Sequence, residues 1–174
     1  HAGKISASTT PLLSAVAIPP SAARTLTPIL GPIIDNMMGG IHVYLGQVDR
    51  ALELFTAVTK SLRAPAAQGI AEGDLFVGNA LAGRMDHART LFRAVAPFLP
   101  ALGRRNVFGA WWTLEAAVAG LALVGDTERC AALYPSTLAY IQTGFVCAAG
   151  AIGPGTPQLS AAIAAHAAGL NDKA

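Results

Sequence analysis

The sequence predicts an all-α protein, a solenoid of stacked helical hairpins. Three observations predict it. The first is a stretch that the chain repeats: residues 45–55 (LGQVDRALELF) return as 82–92 (AGRMDHARTLF) and as 124–134 (VGDTERCAALY). Counted from each glycine, an acid stands at +3 (Asp49, Asp86, Glu128), a small residue at +5 (Ala51, Ala88, Cys130) and an aromatic at +9 (Phe55, Phe92, Tyr134). A fourth copy opens with Gly169, Asp172 and Ala174. The second is the spacing. The steps between loop glycines are 37, 42 and 44 residues, and self-similarity at a period of roughly 20 to 50 residues marks a repeat architecture. The third is composition. Hydrophobic residues make up 53% of the 174 residues, aromatics 6% and charged residues 13%. That is too apolar for disorder. An apolar surface supplied mostly by Ala and Leu favours closely packed helices over a sheet.

The physics of the repeated stretch explains each position. Glycine takes the left-handed conformation that closes a helix. The acid three residues later falls in the first turn of the next helix, where negative charge suits the helix dipole. Positions +5 and +9 are four apart and share a face. The small residue lets a neighbouring helix approach, and the aromatic fills the space one turn on. Each unit is thus a helical hairpin, and one hairpin cannot bury its apolar face alone.

In chain order, prolines at 11, 19, 20 and 28 cut residues 11–31 into two short helices, a worn hairpin occupying 1–31. Gly31-Pro32 opens the first clear hairpin, about 32–45 and 47–63, within a repeat at 32–65. The second, 68–101, has helices over about 68–82 and 84–101. The third, 105–150, has helices over about 105–124 and 126–147, with Pro135 kinking the latter. A glycine-rich turn follows at 148–156, and the partial repeat 155–174 carries a helix over about 157–168. No Asp, Glu, Lys or Arg lies between Cys130 and Asn171. A membrane span needs about 20 continuous apolar residues, and Gly150, Gly153, Pro154, Gly155 and Pro157 interrupt this stretch. It reads as buried helix packing, with no membrane partner.

Charge and motif content exclude several functions. Net charge is +2, and Arg104-Arg105 is the lone basic pair, which leaves no stripe to track phosphates; nucleic acid is not an expected partner. Cys130 and Cys147 offer neither metal spacing nor a disulfide framework, which points to a cytoplasmic protein. There is no Gly-Lys-Ser/Thr phosphate loop and no nucleophile elbow, so neither cofactor nor catalytic residues are expected. His42 is expected in the core, His87 in solvent, and His166 on the face that lines a groove. Glu115 follows Trp111-Trp112 on an otherwise apolar helix and, if buried, needs a partner, with Arg104 or Arg105 as the candidate.

The repeat resembles the tetratricopeptide repeat. That family places a small residue seven before the loop glycine, a position filled by Gly39 and Ala162 but by Phe76 and Val118 in the middle copies. It favours proline seventeen after the glycine, met by Pro100. The steps exceed the usual period of about 34, so the helices are longer. Residues 125–174 are also similar to the repeat region of bacterial multidomain regulators, in which a nucleotide cyclase or a helix-turn-helix domain is joined to an AAA-like ATPase. The match lies in the acid-capped helix ending ALYP, the Leu138-Ala139-Tyr140 segment, the apolar run to Gly153-Pro154, and the helix ending at Gly169. Leu159-Ser160-Ala161 departs from the Tyr-Leu-Gly usual there. The resemblance implies a right-handed α-solenoid of tetratricopeptide-like hairpins, and a non-catalytic interaction or sensing module of a larger cytoplasmic signalling regulator. Its concave groove would carry Asn36, Tyr44, Trp112, Glu115 and His166 and would bind a protein, a peptide or another domain. The alternative is a closed small-molecule or catalytic pocket formed by His42, Trp112 and Glu115. The almost wholly apolar helix from Leu159 to His166 calls for a cover. Either a homodimer forms through the C-terminal helix, or the chain beyond Pro135 folds over it.

Overall fold

A computed structural model describes residues 20–144 and 156–172. These residues form helices and turns, with no strand among them. The α-helices in order are α1 (Pro20–Tyr44), α2 (Val48–Ser61), α3 (Ile70–Leu81), α4 (Met85–Val95), α5 (Phe108–Leu123), α6 (Thr127–Ala132), α7 (Tyr134–Gln142) and α8 (Pro157–Ala167). Short 3-10 turns occupy Pro65–Ala67 and Ala96–Phe98.

The loop glycines close their helices in one way. Gly46, Gly83, Gly125 and Gly169 have φ of 72°, 74°, 73° and 75°. In each loop the following residue donates its N–H to the carbonyl five residues back: Gln47 to His42, Arg84 to Asn79, Asp126 to Leu121 and Leu170 to Ala165, at 2.8–3.0 Å. This is the Schellman closure. In the first three cases the chain re-enters a helix after three residues, so α1 packs on α2, α3 on α4 and α5 on α6. Asp49, Asp86 and Glu128 lie in the first turns of α2, α4 and α6.

The internal offsets place the core. Ala51, Ala88 and Cys130, the +5 residues, are fully buried. Phe55 is fully buried, with its ring against Gly39 and Gly78. Phe92 and Tyr134 pack at the edge of the core. The leading helices α3 and α5 have buried residues all round, whereas α2 and α4 bury one stripe each, as expected for inner and outer helices. α3 and α5 approach closely because Gly73 faces Ala116, Gly109 lies against the Gln68 carbonyl, and Gly120 receives the Phe76 ring. Phe76 in turn meets Phe92 with ring centroids 5.5 Å apart.

The structure departs from expectation at two prolines. The break expected at Gly31-Pro32 is absent, and α1 runs continuously from Pro20 to Tyr44. Pro28 and Pro32 are four residues apart, so the two carbonyls that lose an amide donor lie on one side of the helix. Pro135 divides the third outer helix instead of kinking it. α6 ends at Ala132, and Pro135 occupies the first turn of α7, where its missing N–H has no intrahelical role. This break turns α7 back onto α8, which also packs on α5 and α6. The apolar side of α8, including Ala161, Ala164 and Ala165, is therefore covered within one chain. Cys147 and nearly all of the glycine-rich turn expected at 148–156 lie outside the described residues. Among the described residues no helix is long and apolar enough to cross a membrane.

Candidate functional site

The leading helices bring three polar side chains to one point. Asn36 on α1, Asp74 on α3 and Trp112 on α5 follow one another at intervals of 38 residues. The Asn36 amide donates from Nδ2 to Asp74 Oδ2 at 2.7 Å. The Trp112 indole donates from Nε1 to Asp74 Oδ1 at 3.4 Å, a long and correspondingly weak bond. Their exposures are 2%, 0% and 4%. Glu115 lies three residues beyond Trp112 on α5 and is also fully buried.

Two carboxyl groups in this setting resist ionisation. Burial pushes the Asp74 pKa up from 3.8 to about 7; the Asn36 and Trp112 hydrogen bonds oppose that rise and the nearby Glu115 charge adds to it. Burial likewise raises Glu115 from 4.5 to about 7, opposed by the Tyr140 hydroxyl. Tyr140 is held in place by stacking on Trp111, with ring centroids 5.2 Å apart. Carboxyl groups poised near neutrality inside a fold are functional-site candidates. Both are sealed from solvent, so they suit proton uptake and helix positioning better than contact with a substrate.

Above this cluster lies an apolar cleft of about 150 Å³. Ile33 and Met37 of α1, Leu62, Ile70 of α3, and Phe108 and Trp112 of α5 form its walls, with Asn36 at the base. Phe108 and Trp112 meet edge to face with centroids 5.6 Å apart. Trp112 thus has one face in the cleft and its indole N–H on the buried carboxyl. Beside the cleft α1 carries an exposed apolar row, Leu30, Ile34, Met37, Ile41 and Tyr44, at alternating steps of four and three residues.

The residues singled out from the sequence separate into two groups. Asn36, Trp112 and Glu115 belong to the buried cluster, and Trp112 is almost wholly shielded from solvent. Tyr44, 75% exposed, and His166, also exposed, lie outside it. His42 is not a core residue. It is half-buried and its Nδ1 meets Gln47 Oε1 at 2.6 Å across the loop; His166 makes the corresponding contact with Asn171 at 3.0 Å. His87 is exposed, as expected. The ion pair expected for Glu115 does not form, because Arg104 and Arg105 are exposed in the loop before α5. Asp74 was not among the expected residues. Two signals pointed to it: it is an acid inside the apolar run 70–81, and it stands midway between Asn36 and Trp112.

No family model, curated protein or solved structure matches this chain. Among the described residues no group of three or more His, Cys, Asp and Glu side chains is placed to hold a metal ion. The accessible chemistry is apolar contact in the cleft, backed by a proton-sensitive polar cluster.

Proposed function

We propose that this chain is a tetratricopeptide-like interaction module, a right-handed α-solenoid that binds a protein or peptide partner non-covalently and catalyses nothing itself. The observation that carries the proposal is the cleft between α1 and α5, set on leading helices that recur with constant internal offsets. Its volume of about 150 Å³ suits one large apolar side chain. Drug-sized ligands fill pockets of roughly 300–1,000 Å³, which disfavours the small-molecule reading. The Met37 side chain at the cleft edge is flexible and polarisable, as is common on surfaces that accept varied apolar partners. A partner helix or extended peptide would place an apolar anchor against Trp112 and lie along the exposed row of α1. The resemblance to repeat regions of bacterial regulators supports a place within a larger cytoplasmic signalling protein, where the partner is another domain or a second protein.

Selection of peptides from a displayed library, followed by fluorescence anisotropy, tests this. Met37→Glu is expected to weaken the selected peptides at least about tenfold by placing a charge at the cleft wall. Arg50→Ala on α2, remote from the cleft, is expected to leave affinity unchanged. Binders that ignore Met37→Glu, or that lose affinity equally in both variants, refute the assignment.

A further inference from the structure

On the other side of the hairpins, three arginines converge. Arg89 and Arg93 of α4 and Arg129 of α6 line a cleft of about 330 Å³ together with Thr90, Phe92 and Ala96, and no acidic residue lines it. The chain has 12 Lys and Arg in all, so this is a marked concentration on a surface of low net charge. We propose that this cleft binds a phosphoryl dianion, free or as a monoester.

Two of the guanidinium groups are held in place before any ligand arrives. Arg89 Nη1 meets Asp86 at 3.0 Å and its Nη2 donates to the Val124 carbonyl at 3.0 Å. Arg129 Nη1 meets Asp126 at 2.6 Å, and its Cζ lies 5.8 Å from the centroid of the Phe92 ring. Asp86 and Asp126 stand outside the cleft and act as struts, fixing two side chains that would otherwise be mobile. Each guanidinium carries five donors, so both keep N–H groups to spare. Arg93, four residues from Arg89 on the same face, has no ion-pair or hydrogen-bond partner among the described residues. Like charges at i and i+4 repel, and an anion between them relieves that repulsion.

The ligand class follows from charge and shape. A phosphate monoester carries a charge of about −1.5 to −2 near pH 7 and offers three acceptor oxygens, one for each guanidinium. Arginine forks match phosphate oxygens in pairs. A carboxylate has one charge and two oxygens, which one arginine satisfies. The cleft volume lies at the low end of small-molecule sites and leaves room beside Phe92 for a small organic group. Glu128 and Asp126 line a neighbouring cleft with Arg89 and moderate the positive potential.

Amide NMR titrations of the whole chain with inorganic phosphate, phenyl phosphate and benzoate test the site. Both phosphates are expected to shift residues 89–96 and 127–130 saturably, with benzoate about tenfold weaker or worse. Added salt is expected to weaken the binding, since the cleft is open to solvent. Arg93→Ala is expected to reduce phosphate affinity about tenfold, the effect of one charge-assisted bond. Arg129→Lys keeps the charge but loses the fork, and is expected to cost several-fold. Both residues are exposed, and unchanged thermal melts will show that the fold persists. Tighter binding of phenyl phosphate identifies an organic monoester as the ligand, and equal binding identifies inorganic phosphate. Benzoate binding as well as phosphate, an unchanged affinity in Arg93→Ala, or no saturable shift overturns the proposal.

Discussion

Replacing Asp74 with asparagine should make the protein less sensitive to pH and more stable above neutrality. The carboxyl of Asp74 rises from 3.8 to about 7 on folding. Over that interval the folded state holds a proton that the unfolded state has released. Stability therefore falls as pH rises, with a slope approaching 1.36 kcal/mol per pH unit. The contribution is complete below about pH 4 and is lost by about pH 7. Across the whole window it amounts to roughly 4 kcal/mol, a large share of the 5–15 kcal/mol typical of a domain. The substituted amide would keep the volume and an acceptor oxygen for Asn36 or Trp112, and it has no charge to bury. Urea unfolding followed by tryptophan fluorescence, at intervals from pH 4 to 8, measures both chains. The informative quantity is the difference between them, because the exposed carboxylates titrate alike in each. Near pH 4 the two should be within about 1 kcal/mol, and by pH 8 the variant should be more stable by roughly 2–4 kcal/mol. A difference that does not change with pH refutes the reasoning, because Asp74 would then ionise equally in both states.

Two further substitutions probe the packing. Gly120→Ala places a methyl group against the Phe76 ring, which is itself held by Phe92. Overpacking should cost about 1–3 kcal/mol, read as a lower urea midpoint with an unchanged slope; a neutral result would mean that the ring moves freely. Ala88→Leu inserts three carbons at a fully buried position and should also cost about 1–3 kcal/mol. A variant as stable as the parent in thermal melts would show that the +5 position does not mark a helix contact.

The repeated stretch was legible because its interactions are local. A glycine closing a helix, an acid in the next first turn, and a small residue four before an aromatic all act within about ten residues. Gly46, Gly83, Gly125 and Gly169 accordingly share one backbone geometry, and Ala51, Ala88 and Cys130 share one degree of burial. α3 and α5 are predominantly apolar in sequence and bury residues on every side. What lay beyond the sequence depends on which helices meet. Local rules end a helix near Pro28 and Pro32, yet α1 continues through both, its later half packed on α2, where Gly39 receives the Phe55 ring. Pro135 was visible, but the return of α7 over α8 depends on the space beside α5 and α6. Glu115 drew attention as an acid on an apolar helix, yet its neighbour proved to be Tyr140, because Arg104 and Arg105 lie in a loop outside the core. Asp74 became a site residue only when α1 and α5 closed around α3. Hydrogen bonds across 38 residues join positions that no local periodicity links, and burial, the main cause of the raised pKa, exists only once those helices pack together.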